Sequence, residues 1–311
     1  LKITTNCPRE SYYLVRAAAF NNPFVKKFLE SLNLMPVYRM RDGVSEVGKN
    51  KEIFENCFEL FKKGETLLMY PEASHNRKRT IRMLSKGFTR IVFGALEKYP
   101  DLKITIIPVG LTYQNASFYP SKVSVNYGKP IAVDEFYNIN ELNLSINNLK
   151  EEVSNQLKKL SVHIADDENY NAILSKLNSL NVDFTNVDLV NKMITENNFT
   201  AKNRRKTNFL KSLYYIILLN SFFPMLIWKK IAKKINEVEF VDTFRFAINV
   251  LTFPIFYGLQ TCIIGLFIDW KIAIYYLIIS LLLILIYSKF SPTNTENEEY
   301  LKKLAKRLSP D

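Results

Sequence analysis

The stretch Leu67-Leu-Met-Tyr-Pro-Glu-Ala-Ser-His75 decides how the rest of the chain is interpreted. Its first four residues are apolar and have the length of a β-strand, and the strand pattern stops at Pro71. Open α/β sheets bind their ligands beyond the carboxyl ends of the strands, and arginine and lysine suit an anionic ligand such as a phosphate. A solvated basic loop is the alternative interpretation. The polar side chains behind the strand are Glu72, His75, Arg77, Arg79, Arg82 and Lys86.

Strand and helix patterns alternate on both sides of this stretch. Residues of strand type and spacing occupy Ser11–Arg16, Leu34–Arg39, Lys103–Val109 and Ser121–Tyr127. Apolar residues recur at helical spacing in 24–32, 53–61, 88–95 and 146–160. Gly64 is placed to cap the second of these helices, and the third is expected to begin near Ser85. The alternation predicts an α/β fold, a βα domain.

Composition restricts the partners of the chain. It has a formal net charge of +12, and 48% of its 311 residues are hydrophobic. A basic balance suits a nucleic acid, an anionic membrane surface or a phosphorylated substrate, but the apolar runs concentrate after Phe209 and favour the membrane over nucleic acid. Cys7, Cys57 and Cys262 are scattered, so neither a disulfide framework nor a metal site is expected. The first residue is Leu1, and we expect the natural protein to begin upstream of it.

Changes of composition divide the chain into four parts. We expect a globular domain in residues 1–164, a helical connector in 165–206, a membrane region in 207–290 and a charged cytosolic tail in 291–311. The globular domain is predicted to lie on the cytoplasmic side of the membrane. These boundaries predict an integral membrane protein whose soluble domain precedes its membrane helices.

The membrane region contains two kinds of apolar segment. Residues 209–228 include Pro224 and have basic clusters at both ends, which favours a re-entrant or interfacial helix pair broken near Pro224 over a clean span. Residues 244–268 and 272–287 are long enough, or nearly so, to cross a bilayer. Because a very short link separates them, they predict a transmembrane hairpin with Trp270 near an interface and both outer ends cytoplasmic.

Three short blocks, in this order, resemble the PlsC-like glycerophosphate and lysophosphatidate acyltransferase superfamily. They are Met35-Pro-Val-Tyr-Arg39, Tyr70-Pro-Glu-Ala73 and Ile106-Ile-Pro-Val109. The resemblance extends from about Leu1 to Ile131, and the basic segment 79–90 is similar to that of a bacterial branch with C-terminal membrane segments. Ala73 stands where the family usually has glycine. The first block of the family, His-x4-Asp, is absent and would fall upstream of Leu1.

The resemblance implies a fold, an activity and a set of site residues. The fold is a glycerolipid acyltransferase-like βα domain with a C-terminal helical membrane region. The activity is transfer of an acyl group from acyl-CoA or acyl carrier protein, as co-substrate, to the free hydroxyl of 1-acyl-glycerol 3-phosphate (lysophosphatidate), with no other cofactor. The catalytic histidine and aspartate are not visible in this chain. The substrate-binding residues would be Arg39, Arg41, Glu72, His75, Arg79, Arg82 and Lys86.

Several alternatives remain open at this point. The acceptor could be glycerol 3-phosphate or another lipid hydroxyl. The chain could also be a non-catalytic membrane-bound module that binds phospholipid and lacks the base. His163 has acidic residues shortly after it, but a surface histidine is the favoured interpretation over a catalytic base. The expected partners are lysophosphatidate, the acyl donor and membrane lipids, without nucleic acid.

Overall fold

The computed structural model describes residues 9–38, 48, 50–72, 76, 78–116, 120–200, 209–235, 241–293 and 295. The chain divides into two compact units. The first comprises residues 1–111 and 125–163, and the second comprises residues 112–124 and 164–311. The first unit therefore ends one residue before the predicted boundary at 164, and a short internal segment of that range belongs to the second unit.

A three-stranded parallel sheet opens the first unit, with the strand order β2-β1-β3. The strands are β1 (Ser11–Arg16), β2 (Leu34–Val37) and β3 (Thr66–Leu68). Helix α1 (Pro23–Glu30) connects β1 to β2, and helix α2 (Asn50–Lys62) precedes β3. This arrangement confirms the predicted alternation of strand and helix, and it puts the carboxyl ends of all three strands at one edge.

The helix ends in this part follow from local chemistry. The side chain of Asn22 accepts hydrogen bonds from the backbone N–H groups of Phe24 and Val25, and Pro23 occupies the first helical position, where its missing N–H is no loss. Gly64 has a φ angle of +79° after the end of α2, a conformation that glycine adopts without strain. The predicted cap at Gly64 is confirmed.

The rest of the first unit packs around the sheet as helices and short strands. Helix α3 (Gly87–Lys98) begins within two residues of the predicted start at Ser85. The strand predicted over Lys103–Val109 is divided into β4 (Thr105–Ile106) and the start of β5 (Val109–Tyr113). The division falls at Pro108, which has no N–H with which to continue a ladder.

Two further strands and one long helix complete this unit. Strand β6 (Val123–Tyr127) pairs with β5, and β7 (Ile131–Ala132) pairs antiparallel with β4. Helix α4 (Leu142–Leu160) packs so closely on β5 that a Cβ atom at Gly110 would lie 2.3 Å from the carbonyl oxygen of Leu160. The core between sheet and helices includes Phe88, Ile91, Ala95, Val133, Leu149 and Val153.

The second unit begins with the two short helices expected of a connector. They are α5 (Tyr170–Ser179) and α6 (Val187–Thr195). Gln114, in the segment 112–124, is buried, and its side-chain amide donates to the carbonyl of Val182 (2.8 Å) and accepts from the N–H of Phe184 (2.7 Å). One glutamine side chain thus fixes the segment 112–124 to the turn between α5 and α6.

Four apolar helices follow in the described part of the second unit: α7 (Lys211–Asn220), α8 (Phe222–Ala232), α9 (Val241–Phe267) and α10 (Trp270–Phe290). Residues 243–267 of α9 and the whole of α10 are long and apolar enough to cross a membrane. Asp269 caps α10 by accepting from the N–H groups of Lys271 and Ile272. The two long apolar helices agree with the predicted hairpin.

The break between α7 and α8 differs from the prediction in one detail. The two helices meet at an angle of 87°, and the break lies at Ser221, before Pro224. Pro224 belongs to the first turn of α8, where no intrahelical hydrogen bond requires its N–H, so it does not itself interrupt the helix. The predicted cytosolic tail lies outside the described residues apart from 291–293 and Thr295.

Candidate substrate-binding site

The candidate site lies where the parallel strands end. Strand β3 ends at Leu68, and the chain continues through the exposed Tyr70 to Pro71 and the half-buried Glu72. Strand β2 ends at Val37 and leads toward Arg39 and Arg41, the first two arginines of the predicted site. Arg39, Arg41 and His75 lie outside the described residues, so their predicted roles stay predictions.

A backbone hydrogen bond closes the loop that carries the remaining charged residues. The N–H of Ser85 donates to the carbonyl of Pro71 over 2.8 Å, which brings the two ends of the segment 71–85 together. The middle of the loop has its own support, because the N–H of Ile81 donates to Nδ1 of His163 over 3.0 Å. Both contacts lie within the first unit and fix the backbone of this irregular segment.

Within this loop the structure brings two of the predicted residues together. Nε of Arg82 lies 3.6 Å from Oε2 of Glu72, and both side chains are about one-third exposed. At that distance the attraction is that of an ion pair with little hydrogen-bond character. Glu72 therefore positions Arg82 in the loop that follows the strand end.

The other two cations of the loop occupy different environments. Arg79 is half-buried, and Lys86 is exposed at the residue before α3. The carbonyl of Lys86 accepts from the Thr89 hydroxyl over 2.9 Å, which fixes the start of the helix. Because the backbone dipole at a helix N-terminus favours anions, Lys86 and the start of α3 add positive potential to the same loop.

Asn50 and His163 support the backbone near the site through hydrogen bonds. Sequence reasoning did not select Asn50. The buried amide of Asn50 makes two hydrogen bonds to the backbone of Tyr38, donating to its carbonyl (2.8 Å) and accepting from its N–H (3.0 Å). It thereby fixes the chain at the residue before Arg39. A single asparagine at a helix start carries no sequence signal that distinguishes this role from an ordinary cap.

His163, which the sequence favoured as a surface histidine over a catalytic base, is partly buried. Its Nδ1 accepts from Ile81, so its proton in the neutral form resides on Nε2. Burial and the nearby Lys158 lower the pKa of His163, which favours this neutral, accepting state. His163 therefore acts as a support for the basic loop.

Among the described residues, no group of three histidine, cysteine, aspartate or glutamate side chains is placed to hold a metal ion.

Comparison with known families finds a match over the part of the chain that contains this loop. Residues 2–112 match the family model named Acyltransferase. Two proteins of Saccharomyces cerevisiae (strain ATCC 204508 / S288c) are similar to part of the chain. Glycerol-3-phosphate O-acyltransferase 2 is 26% identical over 112 residues, and glycerol-3-phosphate O-acyltransferase 1 is 22% identical over 121 residues. No solved structure matches the chain significantly.

The share of each protein that the matches cover determines what they establish about this chain. The similar segments cover 36% and 37% of this chain, but only 14% and 16% of the two yeast proteins. Both relatives are fungal, so the bacterial branch suggested by the segment 79–90 stays a prediction. The matched part contains the three-stranded parallel sheet, Glu72 and Arg82. Residues 2–112 of this chain therefore form a domain of the PlsC-like acyltransferase superfamily.

Proposed function

We propose that the domain transfers a fatty acyl group to a hydroxyl of glycerol 3-phosphate. The observation that supports this most directly is the half-buried pair of Glu72 and Arg82 at the carboxyl edge of the sheet. Arg79 and Lys86 follow in the same loop, and Arg39 and Arg41 follow the neighbouring strand in sequence. A phosphate is the ligand that such a set of cations fits best, because each can supply charge together with hydrogen bonds.

The reaction is an exchange of a thioester for an oxygen ester. The acceptor hydroxyl loses its proton to a base while its oxygen attacks the thioester carbonyl of acyl-CoA or acyl carrier protein. The C–O bond forms, the C–S bond breaks, and the thiolate that leaves is protonated. The residues of the loop bind and orient the acceptor. Arg82 and the neighbouring cations hold the phosphate, and Glu72 fixes Arg82. The resemblance assigns the base to the histidine of the family's His-x4-Asp block.

The choice of acceptor rests on the relatives. Both yeast proteins are named for glycerol 3-phosphate, whereas the sequence blocks alone favoured lysophosphatidate. The two acceptors share the phosphate and differ in one acyl chain, so the same cations serve either. We therefore put glycerol 3-phosphate first and keep lysophosphatidate as the second acceptor.

Acyl transfer by the full-length natural protein in membranes tests the proposal. Radiolabelled glycerol 3-phosphate and lysophosphatidate are supplied separately with a long-chain acyl-CoA, and the products are resolved by chromatography. We expect acylation of glycerol 3-phosphate to exceed that of lysophosphatidate. The reverse order restores lysophosphatidate as the acceptor. Binding of either acceptor without any transfer, from acyl-CoA or from acyl carrier protein, would favour a phospholipid-binding module.

Variants of the loop test the assigned residues. Glu72→Gln and Arg82→Gln should each lower kcat/KM for the acceptor by about a hundredfold, because the phosphate loses its fixed orientation. If Glu72 acts by holding Arg82, the double variant should be little worse than either single variant. Arg90→Gln, on an exposed position of α3, serves as the matched control and should retain full activity. Wild-type activity in Arg82→Gln would remove Arg82 from the site.

The side of the membrane is part of the proposal. Lys211, Lys229 and Lys230 lie on α7 and α8, and Lys289 is in the last turn of α10. The loop between α9 and α10 carries Asp269, with Lys271 at the start of α10. Lysine and arginine concentrate on cytoplasmic ends, so the acyltransferase domain, which precedes α7, belongs on the cytoplasmic side.

A further inference from the structure

We propose that α7 and α8 form a re-entrant hairpin that inserts into a single membrane leaflet, and that a polar cluster inside the membrane holds its tip. The cluster consists of Asn220 and Ser221 at the bend, Tyr257 and Gln260 on α9, and Tyr276 and Ser280 on α10. The partner of this surface is the lipid of one leaflet. The inference does not depend on the acyltransferase reaction.

The first step is the direction of α7. The ring of Tyr214, near the start of α7, stacks on Tyr287, near the end of α10, with centroids 5.4 Å apart. At the other end of α7, the amide of Asn220 donates to the hydroxyl of Ser280 over 3.1 Å. Helix α7 therefore runs antiparallel to α10, from the face where α10 ends toward its middle.

The second step is the depth of the bend. Ser280 lies at the midpoint of α10, about 15 Å from either end at 1.5 Å per residue. Tyr257, whose hydroxyl is 2.8 Å from that of Ser221, lies about 15 Å from the end of α9 by the same measure. Two independent contacts thus place the bend halfway through a hydrocarbon layer that is about 30 Å thick.

The third step is the direction in which the chain leaves the bend. Nine residue steps separate Ala232, at the end of α8, from Val241, at the start of α9, and they can span at most about 31 Å. Helix α9 is about 40 Å long, so a chain that had continued to the far face could not reach its start. Helix α8 therefore does not continue to the far face, and its end stays within reach of the start of α9.

The lengths and charges of the two arms agree with this path. The arms have 10 and 11 residues, each about half of what a span requires. Lys211 begins the first arm, and Lys229 and Lys230 end the second. A single broken span would instead place one of these charged ends beyond the opposite leaflet.

The polar cluster explains why the bend stays at this depth. Asn220 donates to Ser280, its side-chain oxygen accepts from the Tyr276 hydroxyl (2.8 Å), and its backbone carbonyl accepts from Gln260 (3.4 Å). Ser221 is buried against Tyr257. The bend exposes backbone groups that lipid cannot satisfy, and polar side chains of neighbouring helices supply the partners.

Labelling of the full-length protein in sealed vesicles tests the path. Cys7 and Cys262 are replaced by serine and alanine, and Cys57 stays because it is buried. Single cysteines at Lys211, Lys233 and Lys271 are then treated with a membrane-impermeant maleimide. We expect positions 211 and 233 to react from one side and position 271 from the other. Reaction of positions 233 and 271 from the same side would overturn the re-entrant path.

The depth of the bend in the membrane distinguishes insertion into one leaflet from binding at the membrane surface. A nitroxide on Leu219→Cys, adjacent to the bend and exposed to lipid, should be accessible to oxygen and protected from a water-soluble nickel complex, as at the middle of a bilayer. Accessibility to the nickel complex at the level of the headgroups would show a helix pair that lies on the surface, and would overturn single-leaflet insertion.

Cross-linking tests the cluster itself. A cysteine pair at positions 214 and 287, where the two tyrosine rings stack, should be joined by a short bismaleimide cross-linker. Asn220→Leu removes two side-chain hydrogen bonds and should lower the cross-linking yield several-fold. Thr261→Val is the matched control, because the Thr261 hydroxyl bonds only to the Tyr257 carbonyl of its own helix. An unchanged yield in Asn220→Leu would exclude the cluster as the element that holds the tip.

Discussion

The acyltransferase domain buries apolar side chains and exposes charged ones, whereas the membrane helices expose apolar side chains and bury polar ones. In the first unit Ile91 is 1% exposed, while Glu72 and Arg82 lie at the rim of the sheet. In the membrane helices Ile263 is 55% exposed, while Ser221 and Ser280 are buried. Each region hides the groups that its own solvent binds worst. The comparison teaches that the contribution of a side chain to stability depends on its burial, and not on its polarity alone. Pairs of matched substitutions can test this.

The largest expected difference comes from one substitution made in both regions. Ile91→Ala should lower the free energy of unfolding of the first unit by about 2–5 kcal/mol, since it leaves a cavity in a packed core. Ile263→Ala should change the stability of the membrane region by less than about 0.5 kcal/mol, since lipid fills the space.

Each region has its own reporter for this measurement. Burial raises the pKa of the Cys57 thiol to about 12, so Cys57 reacts with thiol reagents only when the first unit opens. Both tryptophans of the chain, Trp228 and Trp270, belong to the membrane helices, so intrinsic tryptophan fluorescence follows that region alone. Equal losses at Ile91 and Ile263 would break the comparison.

The next effect concerns a polar group buried outside the membrane. Gln114→Leu leaves the Val182 carbonyl and the Phe184 N–H without their hydrogen bonds, which should cost about 1–3 kcal/mol locally. Hydrogen exchange of the Phe184 amide should accelerate accordingly. Lys122→Ala, which removes an exposed ion pair with Asp183, is the control and should leave the exchange rate nearly unchanged.

How much of this could be read from the sequence depends on the range of the interaction. The bounds of β1, the start of α3 near Ser85 and the two long apolar helices follow from periodicity and length, which are local properties. The strand over Lys103–Val109 was predicted as continuous, because a proline in a strand pattern does not say on which side the pairing changes.

The candidate site was predictable in composition but not in its pairing. Glu72 and Arg82 were both selected, because charged residues behind a buried strand mark a ligand edge. Their contact runs across an irregular loop, so nothing in the spacing could assign it. Asn50, which fixes the backbone at Tyr38, was not selected, because one polar residue in an apolar pattern does not name its partner.

A smaller, pH-dependent effect is expected at His163. Its folded pKa is lowered, so the unfolded chain takes up a proton first as the pH falls below about 6.5. The stability that His163 contributes is therefore complete above that pH and is lost progressively below it. At pH 8, His163→Leu should cost about 1 kcal/mol, because the N–H of Ile81 loses its acceptor.

Cys57 labelling against denaturant at several pH values measures this effect. The difference between wild type and His163→Leu should shrink as the pH falls from 8 to 5. His163→Asn, whose side-chain oxygen can still accept from Ile81, should keep most of the stability and lose the pH dependence. A constant difference at all pH values would mean that protonation of His163 does not weaken the loop.

The smallest expected effect is a hydrogen bond inside the membrane. Tyr257→Phe removes the contact with the buried Ser221 and should lower the stability of the membrane helices by only about 0.6 kcal/mol. The reason is the reference state: helices separated in lipid also find partners for their hydroxyl groups, so the gain on association is small. Unfolding by a denaturing detergent, followed by tryptophan fluorescence, measures it against Thr261→Val. A loss equal to that of Gln114→Leu would mean that the bilayer strengthens such bonds, and that Ser221 alone could hold the bend.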